Sequence, residues 1–541
     1  MDAKIEKLKE IIKKEGVITK NRQKIVGTEG DEISWLFDLR AVFLDSEGIA
    51  LATDAFWQIF EKEYPFQIGG QELAAVPLVS AIVFHGQRIK KPVNGFIIRK
   101  SRKPTGLQNI IEGKINSEKI ILVDDLINSG STALKQIQVI EDHVQRKIDK
   151  FFTFVNFRGE KNFQLLKQKG VQLISLFDLK DFNLSLSENK ENLCPEQFKT
   201  LWHFQAPNPS FFYRVPKSVP YLDENKVYFG TDNGYFWALN QEDGSVAWKF
   251  KVGYHVKGKG IFSSPSIYKN LIYFGSYDGN LYALNKDTCE LCWKNSDADF
   301  VGSSPALAPD LNLLFFGLEF GLFRKKGGLA ALDLSTGKRI WLFETENFIH
   351  CSPAYCPEKK LVAVGDNDGW VYLFDAKKGT LKWKFQAGGA VKASLAFDLK
   401  RNLLLFGSFD KNLYALDLAD GEEKGKYETK EVIFSTPVVN GDNVYISSLD
   451  KNLYSIDLNT GCLNWHFTAG GRIFAPPEII DDKILVGATD GKLYEIDIQT
   501  GKATAFFQAT ERITNKIAYN PKTKRFFLPT YANELYCLEK A

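Results

Sequence analysis

Sulfur is scarce in this chain: seven cysteines and one methionine are spread over 541 residues. The cysteines are odd in number and scattered, which excludes a disulfide framework and suits a reducing compartment. Cys289 and Cys292 form a CxxC, but no second pair stands at zinc spacing. The six histidines are dispersed, and no Ser–His or Cys–His constellation for nucleophilic catalysis is visible. Long hydrophobic runs are missing as well. The longest, around Leu73–Phe84, is too short to span a bilayer. The opening MDAKIEKLKEIIKKEG sets Ile5, Leu8, Ile11 and Ile12 on one helical face and does not read as a secretory leader. Charge of one sign is also lacking: the formal net charge is +3, which points to neither a nucleic-acid nor a membrane partner. A cytoplasmic, multidomain protein is expected from these absences.

What is present divides into two grammars. Up to about residue 185, apolar strand-like runs alternate with helix-like segments, as at Ala75–Phe84, Gly95–Arg99, Lys119–Val123, Phe151–Phe157 and Val171–Phe177. Residues 132–148 space Leu134, Ile137, Ile140 and Val144 along one helical face. This alternation predicts an α/β domain with a mostly parallel sheet over residues 1–185. Residues 186–209 read as a linker ending at Pro207 and Pro209. From about residue 210 the chain repeats. VYFGTDNGYFWALNQEDGSVAWKF begins at Val227, and related units begin at Ile272 and Val362, with a divergent copy at Leu314–Phe343. The period of about 40–48 residues, with Asp-Gly and Asn-Gly turns between strands, is that of a four-stranded propeller blade. A Trp often closes the unit, as at Trp248, Trp293, Trp341, Trp383 and Trp465. Seven units are complete. An eighth starts at Ile513 and stops before its last strand, and Ser210–Val215 stands where that strand is needed. An eight-bladed propeller over 210–541, closed by strand exchange, follows as the expectation.

The densest chemistry lies at residues 120–133, IILVDDLINSGSTA. A buried strand ends in Asp124 and Asp125; a loop of small residues, Asn128, Ser129, Gly130, Ser131 and Thr132, leads into a helix. Bare backbone N–H groups and a helix N-terminus suit an anionic phosphate, and the paired carboxylates can accept hydrogen bonds from sugar hydroxyls. An unremarkable strand-to-helix turn with solvated acids is the alternative to this reading.

This stretch resembles the PRPP-binding signature of type I phosphoribosyltransferases, and the first 180 residues or so are similar to orotate phosphoribosyltransferase. WLFDLR at Trp35–Arg40 resembles that family's aromatic–Asp–Arg segment. GGQELAAVPL, containing Gly70, Gln71, Glu72 and Leu73, resembles its pyrophosphate loop. FIIRKSRKPTG at Phe96–Gly106 resembles its mobile lid. The resemblance implies that Asp124 and Asp125 hold the ribose hydroxyls and, indirectly, a Mg²⁺ carried mainly by PRPP. It implies that residues 128–132 cradle the 5′-phosphate, that Arg99, Lys100 and Lys103 bind the diphosphate, with Lys103 catalytic beside the acidic pair, and that Arg158 reads a carboxylate on the base. It further implies a homodimer in which one subunit's lid reaches the other's site. The sequence departs from the family at Pro104 and Thr105, where the lid carries Asp and His, at Ala74 and Ala75, where glycines are usual, and at GTEGDEIS, where a base-contacting segment stands.

The repeats resemble the quinoprotein-type (PQQ-like) propeller unit. Without an export signal or adjacent cysteines, no PQQ is expected, and the propeller reads as a platform for a protein partner. Two functions follow: a PRPP- and Mg²⁺-dependent phosphoribosyltransferase acting on a small orotate-like base, or a non-catalytic PRPP or nucleotide sensor signalling through the propeller. A propeller enzyme with an inert N-terminal domain would need a polar cluster at the ring centre, which the sequence does not display. His85, after an apolar segment, is a further candidate near the site.

Overall fold

The computed structural model describes residues 3–19, 35–99, 111–128, 130–157, 163, 166–167, 169–184, 197–207, 218–253, 260–321, 326–509 and 511–540. They fall into two compact units, Met1–Leu193 and Cys194–Ala541.

In the first unit, helix α1 (Ala3–Ile11) is followed by a small ribbon of β1 (Val17–Thr19) and β2 (Trp35–Phe37), then α2 (Arg40–Phe43) and α3 (Ser46–Phe60). Asp45 caps α3, its carboxylate accepting from the Glu47 and Gly48 N–H groups at 2.9 and 3.0 Å, which satisfies donors the helix leaves open. There follow β3 (Phe66–Gln71), α4 (Ala75–Arg88), β4 (Asn94–Ile98), β5 (Ile111–Glu112), β6 (Lys119–Ile127), α5 (Ser131–Val144), β7 (Lys150–Asn156) and β8 (Gln172–Asp178). The sheet order is β5-β4-β3-β6-β7-β8, parallel except for β5.

The apolar run Ala75–Phe84, expected as a strand, is helix α4. Ala75, Leu78, Val79 and Ile82 recur at helical spacing and are buried, while Val76 and Phe84 face outward; Pro77 sits in the first turn, where its missing N–H is harmless. Strand alternation sorts the core into two faces. Ile121 and Val123 pack with Phe56, Phe60, Leu78 and Phe152. Ile120 and Leu122 pack with Ile137, Ile140 and Phe151 under α5.

The second unit is a set of eight four-stranded antiparallel sheets. Their blades run 221–251, 266–295, 306–345, 354–386, 396–428, 438–468, 478–508 and 518–540, numbered one to eight in chain order. The fourth strand of blade eight is β9 (Phe198–Gln205), which pairs with Glu534–Lys540. That strand lies within the segment expected to be linker, and it takes the place expected for Ser210–Val215; residues 210–215 lie outside the described residues. The signal was present: Trp202-His203-Phe204 repeats the Trp465-His466-Phe467 of blade six.

In most blades the turn between third and fourth strands ends on a left-handed glycine: Gly244, Gly337, Gly379, Gly421, Gly461 and Gly501 have φ between 68° and 78°. In blade two Cys289 holds this position at φ 65°. A side chain there costs about 1 kcal/mol in crowding between Cβ and carbonyl oxygen. Cys289→Gly is expected to stabilise the propeller by roughly 0.5–1 kcal/mol, after allowing for the freer unfolded chain, read as a higher urea midpoint. An unchanged midpoint would show the turn to be unstrained. Cys289 and Cys292 are both free thiols.

Candidate active site

The sheet order places a topological switch point between β3 and β6. From β3 the chain crosses by α4 to β4 on one side; from β6 it crosses by α5 to β7 on the other. Loops leaving the carboxyl ends of two such strands diverge and open a crevice, the usual ligand position in parallel sheets. The loop after β3 holds Glu72 and Leu73; the loop after β6 holds Asn128 and Gly130.

Close backbone approach is built into this crevice. A Cβ on Gly70 would stand 2.4 Å from both the Val123 carbonyl oxygen and the Ala75 Cβ, and one on Gly69 would stand 2.0 Å from the Phe96 ring. The Glu72 N–H donates to the Ile98 carbonyl at 3.0 Å, and Leu73 is exposed. The Glu72–Leu73 peptide bond is cis.

After β6, Gly130 turns the chain into α5 with φ 79°, and a Cβ there would meet the Phe163 ring at 2.9 Å. A cavity of about 110 Å³ opens at this turn, lined by Asp124, Leu126, Ile127, Asn128, Gly130, Thr132, Ala133 and Phe151. Asn128 and Thr132 are exposed, so the turn is open to solvent. The N-terminus of a 14-residue helix stands at this turn, a position whose partial positive charge suits an anion.

The acidic pair lies near the end of β6. Asp124 is buried on the α5 face, where its Oδ2 accepts from Gln136 Nε2 at 3.2 Å and its Oδ1 from the Asp125 N–H at 3.0 Å. Asp125 is half-buried beside it; its Oδ1 accepts from the Leu126 N–H at 2.8 Å. Asp124 lines the cavity and Asp125 does not. Burial pushes the Asp124 carboxyl well above its usual range, and the neighbouring charge of Asp125 adds to this. Burial also raises Asp125, partly offset by the hydrogen bonds its carboxylate accepts and by the charge of Arg40. Arg40 is itself paired to Asp38 at 2.8 Å.

Of the other expected residues, Arg99 directly follows β4, and its Nη1 meets Glu112 Oε1 at 3.2 Å. Ser131 opens α5. Lys100, Lys103, Pro104, Thr105, Ser129 and Arg158 lie outside the described residues. His85 is away from the crevice, on α4, stacked near Trp57 and 3.9 Å from Asp54. Three residues escaped the sequence reading: Gln136, Glu112 and the reach of Arg40 towards Asp125. Only Gln136 left a trace, as a polar residue within the Ala133–Ile137–Ile140 stripe of α5.

Among the described residues no group of three or more His, Cys, Asp or Glu side chains is placed to hold a metal ion, and no helix is long and apolar enough to cross a membrane. Two adjacent carboxylates beside a phosphate-sized cavity fit a Mg²⁺ that arrives on a substrate diphosphate, with Asp124 and Asp125 as outer partners.

Comparison with known proteins agrees with this division. The N-terminal region is similar to orotate phosphoribosyltransferase of Aquifex aeolicus, 29% identical over 177 residues, covering 32% of this chain and 96% of that protein. It is similar to the enzyme of the same name from Rhodopseudomonas palustris strain BisB5, 28% identical over 166 residues, covering 30% and 88%. Residues 195–346 match the family described as outer membrane protein assembly factor BamB, and residues 324–541 the β-propeller of beta-alanine-activating enzyme. The solved structure of BamB from Moraxella catarrhalis superposes with a TM-score of 0.51 at 16% identity, covering 63% of this chain and 97% of that one, a likeness of fold. The chain thus joins an orotate phosphoribosyltransferase-like domain to an eight-bladed propeller with PQQ-like repeats.

Proposed function

We propose that the N-terminal unit is a phosphoribosyltransferase that joins the ribose 5-phosphate of PRPP, as its Mg²⁺ complex, to an orotate-like base and releases pyrophosphate. The observation that carries this reading is the pairing, at one switch point, of a glycine-floored loop after β3 with a phosphate cradle and acidic pair after β6. The 5′-phosphate sits at the N-terminus of α5 on residues 128–132. Asp124 and Asp125 accept from the ribose hydroxyls and so position the anomeric carbon. The loop Gly70–Leu73 meets the diphosphate. Displacement at that carbon builds positive charge on the ribose and negative charge on the leaving group. Arg99, Lys100 and Lys103 answer the second charge, and Mg²⁺ neutralises the diphosphate when bound. Arg158 reads the carboxylate of the base. The protein acts in the cytoplasm as a homodimer whose lids cross between sites. The propeller is a scaffold for a protein partner, and neither a membrane, nucleic acid nor PQQ takes part.

The test is pyrophosphate release from PRPP and Mg²⁺ across a panel of bases including orotate. Asp125→Asn is expected to reduce release on the order of 100-fold or more, as when a group that positions the reacting centre is removed. A second reading, PRPP or nucleotide sensing without turnover, is favoured by the Arg99–Glu112 ion pair, which engages a cation the diphosphate needs. PRPP binding by calorimetry without release from any base would select it.

A further inference from the structure

The first strands of neighbouring blades lie against one another and so line the axis of the ring, where a propeller keeps a central channel. At one end of this channel, blades two to eight each present two side chains in equivalent places. One comes from the segment leading into the first strand. The other comes from the end of the second strand or the turn after it. A recurring hydrogen bond fixes the equivalence. The N–H of the second residue donates to the carbonyl two positions before the first, as from Glu319 to Phe300, Asn367 to Phe348 and Phe409 to Ala390, at 3.2, 3.1 and 2.9 Å.

The side chains at these places divide by sector. In blades three to five they are mostly polar. Glu319 is buried; its Oε1 accepts from the Gly302 N–H at 3.2 Å and its Oε2 meets His350 Nε2 of the next blade at 3.0 Å. His350 Nδ1 lies 2.8 Å from Asn367 Nδ2. Lys392 follows in blade five, its ammonium 4.9 Å from the centre of the Phe409 ring. From there the wall is aromatic: Phe409, Phe434 and Phe474 run through blades five to seven with ring centres 5.4 and 5.8 Å apart. The residues just before them in the chain, Val391, Ile433 and Ile473, are fully buried. Lys392, His350 and the three phenylalanines are partly exposed, so this wall faces the channel mouth and not the core. No stretch of sequence displays the polar sector, because its members come from three blades and meet only when the ring closes.

Lys392 is the unbalanced member. Among the described residues it has no ion-pair partner; the carboxylate whose charge reaches it, Glu319, is already held by His350 and Gly302. Burial lowers the Lys392 pKa against that charge. The face of Phe409 answers part of the cost of a half-buried cation, and an anion would answer more. We infer that this end of the channel binds a small aromatic carboxylate, its carboxylate on Lys392 and its ring against Phe409, Phe434 and Phe474. Charge complementarity selects the head group and the neighbouring wall selects the flat apolar body. The inference is independent of the phosphoribosyl reading.

The test uses the full chain and saturation-transfer NMR with three probes: benzoate, its neutral isostere benzamide, and acetate, which has the charge without the ring. The wild type should bind benzoate with Kd on the order of 1 mM, as expected for so small a ligand, and the other two about tenfold more weakly. Lys392→Met keeps the length of the side chain without its charge. It should weaken benzoate about tenfold, leave benzamide unchanged, and hold or raise Tm because a half-buried charge is gone. Lys392→Arg should keep most of the benzoate affinity, which a merely structural loss at this position would not allow. Phe434→Ala, which removes the middle of the aromatic wall, should also weaken benzoate. A benzoate signal that does not saturate, equal binding of benzoate and benzamide, or undiminished benzoate binding by Lys392→Met or Phe434→Ala would each overturn the inference.

Discussion

Asp124→Asn is expected to silence the N-terminal unit and, at neutral pH, to make it more stable. The carboxyl is buried, and both burial and the charge of Asp125 hold its pKa well above the usual 3.8. A carboxyl with a raised folded-state pKa favours folding most below its unfolded value. That contribution is lost as pH rises through the folded value, and at neutral pH the ionised group opposes folding. Asparagine removes the charge and keeps the shape. It also suits its neighbour: Gln136 is fully buried, it donates through Nε2, and its Oε1 has no hydrogen-bond partner. Turning the Gln136 amide over would let that oxygen accept from the introduced asparagine amide while its nitrogen takes the partnerless position, so the number of hydrogen bonds is kept and the gain comes from the removed charge. The gain should therefore be largest near pH 8 and vanish towards pH 3. Urea unfolding of the full chain, followed through the first transition at both pH values beside the pyrophosphate assay, measures it. A loss of stability larger at pH 8 than at pH 3 would mean that the ionised carboxylate is held favourably. A charged group kept buried at a cost to stability is what a working site looks like, and function is the reason to retain it.

The propeller was legible because each blade states the same pattern, and the errors made there are errors of bookkeeping at the ends. The repeat count places the last strand somewhere before Val227, and Ser210–Val215 is apolar enough to be chosen. The Trp202-His203-Phe204 match is the stronger signal, but it lies within a stretch that reads as linker by its prolines. In the first unit the phosphate turn could be read because small residues, acids and a strand end are adjacent in sequence. Helix α4 was misread since a run as apolar as Ala75–Phe84 hides its 3.6-residue period; only Pro77 and the exposure of Val76 and Phe84 reveal it. Glu112 and Arg40 were out of reach for another reason. Each meets its partner across the sheet edge or from a different element, Arg99 across β4–β5 and Asp125 from α2, and single-sequence spacing carries no such contact.

The largest effect outside the active site should come from where the propeller is cut. A fragment of residues 194–541 contains β9 and is expected to unfold cooperatively; a fragment of residues 210–541, the boundary the repeats alone suggest, is not. Removing Phe198–Gln205 strips seven paired positions from the C-terminal strand, Glu534 to Lys540. Leu535, Tyr536, Cys537 and Leu538, all fully buried, would lose the strand beside them. Trp202, whose indole N–H donates to the Gln241 carbonyl at 3.0 Å and whose ring lies on Gly244, goes with it, so blade eight loses both its outer strand and its hold on blade one. The loss should amount to several kcal/mol, on the order of 10 °C in Tm. The bare edge of Glu534–Lys540 is an open template for pairing between molecules, so the shorter fragment should also aggregate on concentration. Calorimetry and light scattering on the two fragments decide the matter. If residues 210–541 melt as sharply as 194–541 and stay monomeric, β9 is dispensable and blade eight stands on three strands.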